Sequence, residues 1–273
     1  ENLLCGPVRR NTAPCIAYAM AKIEKRCEDA LVLVMPSDHL IVDKENFVSP
    51  IFQGFRLARR EQVLICLGIK AAYPNTGYGY IQYNMDVCSQ DDCGIKKVKL
   101  FTEKPAYEMA CSFVESGDFL WNAGIFIWSL QAIKAAFVKF LPEITDVILK
   151  GRELLDTDQE EAFVEEAYSI CPSISIDYGI MEKADNVYVI PSDFGWSDIG
   201  TWGALYNVMN KDENGNSVVG KNVMLYDCTN CLINVPKDRL LVAQGLDDYI
   251  IVESEGVVMM CKKGEEQRIK QFT

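Results

Sequence analysis

Six apolar residues in a row, Ala30-Leu31-Val32-Leu33-Val34-Met35, stop abruptly at Pro36-Ser37-Asp38-His39. A strand that alternates in polarity keeps one face in water, whereas a strand apolar at every position is buried on both faces, as a central parallel strand is. A helical stretch precedes the run. It opens at Thr12-Ala13-Pro14, where Thr12 can cap and proline is tolerated in the first turn, and it carries Ile16, Met20, Ile23 and Cys27 on one stripe. A second helical stretch, residues 47–60, leads to a second all-apolar strand at 63–69. Helix, strand, helix, strand in this order predicts an α/β fold with a doubly wound, Rossmann-like, mostly parallel sheet. The same reading places strands at 97–101, 124–128 and 187–190, and helices at 107–115, 130–140, 159–169 and 201–209.

The texture changes near residue 210. Lys211-Asp212-Glu213-Asn214-Gly215-Asn216 reads as a turn-rich linker, and beyond it short strands follow without helical periodicity. Val219, Leu225 and Cys231 recur every six residues, a hexapeptide rhythm of the β-helix kind. Two domains are predicted: 1–210, and a small all-β appendage at 215–273. There is no initiator methionine, and the first apolar residues read like mid-strand, so the N-terminal domain is expected to be incomplete at its start.

Composition narrows the function. Lys and Arg total 27 against 39 Asp and Glu, a net charge of −12, which argues against nucleic acid as a partner. No run of 18 uninterrupted apolar residues exists, so no membrane helix is expected. The single histidine, His39, leaves little room for histidine-ligated zinc or for Ser/His and Cys/His nucleophile pairs. Eleven cysteines scattered through apolar runs predict free thiols and a cytoplasmic setting. Cys228 and Cys231 have metal or redox spacing but no second pair to complete a tetrahedral site.

Carboxylates at strand ends stand out as candidates for chemistry. Ligands of open α/β sheets bind beyond the carboxyl ends of strands, where Asp38 is expected, and an aspartate there suits a divalent cation bridging to phosphate oxygens. Asp198 lies in Gly195-Trp196-Ser197-Asp198-Ile199-Gly200-Thr201-Trp202, which reads equally well as a helix cap closed by tryptophans. Glu103-Lys104-Pro105 ends a predicted strand with an acid and a base side by side, able to meet sugar hydroxyls and a phosphate or simply to pair with each other in solvent. Thr76-Gly77-Tyr78-Gly79-Tyr80 and Trp121-Asn122-Ala123-Gly124 read as glycine-containing loops open to a ligand. Arg9-Arg10-Asn11-Thr12, at a helix start, is the clearest local positive cluster in an acidic chain.

Taken in order, these motifs, with Ser175-Ile176-Asp177-Tyr178, resemble those of mannose-1-phosphate guanylyltransferases in the sugar-nucleotidyltransferase superfamily. The resemblance covers residues 1 to about 210 and continues into the appendage, which would be a left-handed β-helix mediating a homodimer. It implies nucleotidyl transfer from GTP to mannose 1-phosphate with Mg²⁺ held by Asp38 and Asp198. Lys104 would bind the sugar phosphate, and Gly79, Glu103 and Asn122 the hydroxyls. Pro7, Arg10, Asn11 and Thr12 would line the guanine pocket. Two departures stand out. The family's glycine-rich phosphate loop is absent from these 273 residues, and Gly6 replaces a glutamate usual in guanine-using members. A hexose-1-phosphate nucleotidylyltransferase of other base or sugar preference, or a non-catalytic binder of GDP-mannose, are the competing readings.

Overall fold

The computed structural model describes residues 3–89 and 92–272. In chain order the elements are α1 (Thr12–Arg26), β1 (Leu31–Val34), β2 (Leu40–Ile41), α2 (Lys44–Arg60), β3 (Leu64–Lys70), β4 (Gly79–Ser89), β5 (Asp92–Glu103), α3 (Tyr107–Ser116), β6 (Phe119–Ser129), α4 (Leu130–Phe140) and α5 (Glu160–Ile170). They continue with β7 (Val187–Ser192), β8 (Trp196–Ser197), α6 (Trp202–Val208), β9 (Ser217–Val219), β10 (Asn222–Tyr226), β11 (Leu232–Asn234), β12 (Leu240–Gln244), β13 (Tyr249–Ser254) and β14 (Val257–Lys262). Two compact units result: residues 1–37 with 42–194, and residues 38–41 with 195–273.

The larger unit is a six-stranded mixed sheet, ordered β1-β6-β3-β7-β5-β4, with helices packed on it. The expectation of a mostly parallel sheet is corrected: β3–β7 is its parallel pairing among the described residues, and β6 runs antiparallel to β1, β3 and β4. The reason is the β4–β5 hairpin, which needs no helical crossover, together with a β6 long enough to span three neighbours. β1 is likewise corrected. It lies at the edge of the sheet, antiparallel to β6, and each of its four apolar residues is half-buried rather than enclosed. Two predicted loops also turn out to be strand. Gly79 opens β4, and Asn122 sits inside β6, where Gly124 at φ 68° supplies the local irregularity.

Asn11, rather than Thr12, caps α1: its side chain accepts the Thr12 N–H at 2.9 Å. Thr12 is the first helical residue, and its Oγ1 accepts the Ile176 N–H at 2.8 Å. The apolar stripe of α1 enters a core with Trp128, Phe137 and Tyr168, while its last member, Cys27, is exposed. Behind that core, Lys22 is buried and held by Asp156 at 2.5 Å and Glu160 at 2.7 Å, with the Tyr18 hydroxyl donating to the same Glu160.

The smaller unit is a coil of parallel rungs. β9, β11 and β13 stack in register, Ser217 against Leu232 and Leu232 against Ile250, and β10 stacks on β12, Asn222 against Leu240. The interior holds Cys228, Cys231, Ile233 and Ile251. Only part of the six-residue rhythm points inward, since Cys231 is buried but Val219 is exposed. Cys228 and Cys231 are buried free thiols that donate to backbone carbonyls.

Candidate active site

Strand register brings three distant residues to one place in the larger unit. Gly79 pairs with Glu103 across β4 and β5, and Tyr80 pairs with Trp121 across β4 and β6. Asn122, one residue on, therefore lies beside Gly79. A Cβ built at position 79 would stand 2.2 Å from Glu103 Oε2 and 3.2 Å from the Asn122 Cβ. Only glycine lets that carboxylate lie where it does.

Glu103 is held by its surroundings. Its backbone N–H donates to Glu182 Oε1 at 2.9 Å, and its Oε1 lies 3.1 Å from Lys104 Nζ. Its other oxygen, Oε2, is buried with no hydrogen-bond partner. A buried acceptor left unsatisfied is costly and marks a place where a ligand donor fits. Burial, and then the charge of Asp177, push the Glu103 carboxyl above its usual range. Lys104, at φ 49°, donates its backbone N–H to Tyr78 O at 3.2 Å, and its half-exposed ammonium reaches solvent. Burial alone would lower its pKa, but the hydrogen bond and charge of Glu103 outweigh this and raise it.

Both ends of the Asn122 amide are engaged. Its oxygen accepts the Gly124 N–H at 3.0 Å, and its nitrogen donates to Asp177 Oδ1 at 2.8 Å. Asp177 begins a π-helical turn, Asp177–Met181, and burial raises its pKa also. In the sequence Asp177 appears within a motif but without a role, and Glu182 passes unnoticed. The available signal was a pair of carboxylates, Asp177 and Glu182, flanking the largely apolar stretch 178–181.

The basic cluster at the helix start is used within the fold. Arg10 Nε donates to Tyr168 O and Arg10 Nη2 to Ser169 O, each at 2.8 Å, on carbonyls of the last turn of α5. Pro7 is exposed just before it. Gly6 lies against Tyr168, so that a Cβ there would meet the ring at 2.6 Å.

Asp38 and Asp198 belong to the smaller unit. Leu40 pairs with Ser197 and Ile41 with Trp196 in the antiparallel β2–β8 ladder. Asp38 precedes this ladder by two residues and Asp198 follows it by one, so both stand at the same end. Trp196 Nε1 donates to His39 Nδ1 at 3.1 Å and fixes the intervening residue. Asp198 Oδ1 accepts the Gly200 N–H at 2.9 Å. Oxygen donors of this kind suit a hard cation such as Mg²⁺. Among the described residues no group of three or more His, Cys, Asp or Glu side chains could hold a metal. No helix among the described residues is long and apolar enough to cross a membrane.

The Nucleotidyl transferase family matches residues 1–215. The chain belongs to that family. It is 34% identical over 273 residues to the alginate biosynthesis protein AlgA of Pseudomonas putida, covering 100% of this chain and 55% of that protein. It is also 34% identical to a mannose-1-phosphate guanylyltransferase of Salmonella montevideo, covering 99% of this chain and 57% of that one. The chain thus spans somewhat more than half the length of these curated relatives. A solved structure titled mannose-1-phosphate geranyltransferase, from Thermus thermophilus, superposes with a TM-score of 0.82 at 28% identity, over 99% of this chain and 76% of that one. The mixed α/β fold is that of a nucleotidyltransferase.

Proposed function

We propose that the protein transfers a guanylyl group from GTP to mannose 1-phosphate, forming GDP-mannose and pyrophosphate. The observation that carries this reading is the convergence of Gly79, Glu103 and Asn122 around an unsatisfied carboxylate oxygen, with the Lys104 ammonium next to it. Glu103 accepts a hydroxyl hydrogen of the hexose, Asn122 lines the ring, and Lys104 exchanges Glu103 for the sugar phosphate. The attacking group is a phosphate oxygen already anionic at neutral pH, so no general base is required. It forms a bond to the α-phosphorus of GTP while the bond from that phosphorus to the bridging oxygen breaks and pyrophosphate departs, an in-line displacement governed by positioning and charge. Asp38 and Asp198 would hold Mg²⁺, which neutralises phosphate charge when bound. Pro7, Arg10, Asn11 and Thr12 line the base pocket in this reading, with Arg10 serving through its grip on α5.

One observation favours a second base preference. The Tyr168 ring fills the space a side chain at position 6 would take, and glycine offers no side-chain acceptor to a guanine edge. A panel of nucleoside triphosphates decides between them. The test is pyrophosphate release by the full protein with Mg²⁺ and mannose 1-phosphate; no release with any triphosphate and hexose phosphate leaves the non-catalytic binder, which tight GDP-mannose binding would identify. We further propose that the protein is cytoplasmic, which the free thiols support. The coil is read as a left-handed β-helix that forms a homodimer, supported by exposed Met224, Tyr226, Leu240 and Val242 on the β10–β12 face.

A further inference from the structure

The hydrogen bond between Asn122 and Asp177 ties a residue of the sugar site to a carboxylate with no assigned task. Asp177 Oδ1 is occupied by Asn122 Nδ2 at 2.8 Å, and the residue is half-buried. Beside it lies Glu103, whose Oε2 has no partner at all. Charged and titratable groups facing this pair include Lys104, on Glu103 Oε1, Glu182, on the Glu103 N–H, Tyr178, whose hydroxyl is 3.5 Å from Glu103 O, and the buried thiol of Cys66, which feels the Asp177 charge. The cluster therefore holds three carboxyls against one ammonium. An excess of buried acceptors is unfavourable in the free protein unless the ligand supplies hydrogen donors, and a polyol supplies several.

We infer that Asp177 is a sugar-binding residue: Asn122 fixes one of its oxygens so that the other accepts a ring hydroxyl neighbouring the one taken by Glu103. Two acceptors held at a fixed separation read the relative orientation of adjacent hydroxyls, which makes Asp177 a determinant of which hexose epimer is accepted. The inference rests on the proposed hexose-phosphate reading. Burial raises the pKa of both carboxyls, in keeping with acceptors held apart from water until a donor arrives.

The test is Asp177→Asn, an isosteric change whose amide oxygen can still accept from Asn122. Calorimetric titration with mannose 1-phosphate and with glucose 1-phosphate reads affinity and epimer preference; GTP titration and the thermal midpoint report on the rest of the molecule. Loss of a hydrogen bond to a charged acceptor predicts at least about a tenfold weaker mannose 1-phosphate affinity, and the preference between the two sugars shrinks. GTP affinity and the midpoint stay at the wild-type values. Unchanged affinity and preference in the variant overturn the inference alone. So does a loss shared equally by GTP, because that is a purely structural role. A wild-type protein that binds neither sugar phosphate overturns the functional reading and the inference with it. If Asp177→Asn does not fold, Asp177→Glu serves: it keeps the charge but displaces the acceptor, so altered epimer preference at retained GTP affinity supports the inference and unaltered preference overturns it.

Discussion

The junction of Gly79, Glu103 and Asn122 and the ladder flanked by Asp38 and Asp198 both gather residues from distant chain, yet with very different amounts of structure. The first rests on β4, β5 and β6, each ten residues or more, with a glycine whose missing Cβ makes room and a buried oxygen without a donor. The second rests on two paired positions, Leu40 with Ser197 and Ile41 with Trp196, and one tryptophan–histidine hydrogen bond. A neutral polyol would interact weakly with each partner, so acceptors meant for one would have to be fixed in advance. A divalent cation would interact strongly and at long range, so two carboxylates on a short ladder would be enough to place one.

By that contrast charge, rather than shape, is expected to govern the ladder. Asp198→Asn keeps the Gly200 contact and the fold but lowers pyrophosphate release at least about a hundredfold, measured with saturating substrates. Shape governs the junction. Gly79→Ala drives a methyl against Glu103 Oε2 and is expected to raise the KM for mannose 1-phosphate roughly tenfold while costing about 1–3 kcal/mol in a denaturant titration. Its KM for GTP should hardly move.

Titration separates strained carboxyls from well-partnered ones. Glu103 and Asp177 have raised pKa values, so they favour the fold in acid, and that contribution is lost as pH rises through the raised values. Glu103→Gln should flatten this fall above about pH 4.5. Glu160 behaves oppositely. Burial would raise it, but the Lys22 and Tyr18 hydrogen bonds prevail and hold it at about 2, so its contribution is present above its ordinary value of 4.5 and is lost as pH falls toward 2. Glu160→Gln should remove that acid-side slope, read as the thermal midpoint against pH. The smallest expected effect is Trp196→Phe, which loses one hydrogen bond to His39 and about 1 kcal/mol of stability.

Much of this was legible in the chain itself. Helical stripes and apolar runs located most elements, and the ordered motifs contain the residues that register gathers at the junction and at the ladder. What the residues could not reveal was register. Gly79 and Asn122 looked like loop because glycine and asparagine favour turns, whereas pairing with Glu103 and Trp121 absorbs them into strands. An apolar strand read as central proved to be an edge, since apolarity reports burial potential and not neighbours. Arg10 looked like an anion ligand because its charge was visible and the α5 carbonyls it meets were not. Asp177 gained meaning only through Asn122.

The coil of the smaller unit ends in β14, which runs antiparallel to β13 after a succession of parallel rungs. A stack of identical rungs can in principle add copies end to end without limit, as fibrils do. A final strand laid in reverse presents a mismatched template to the next molecule. On its β13 side, then, the parallel repeat of this sheet is closed by a strand of opposite direction.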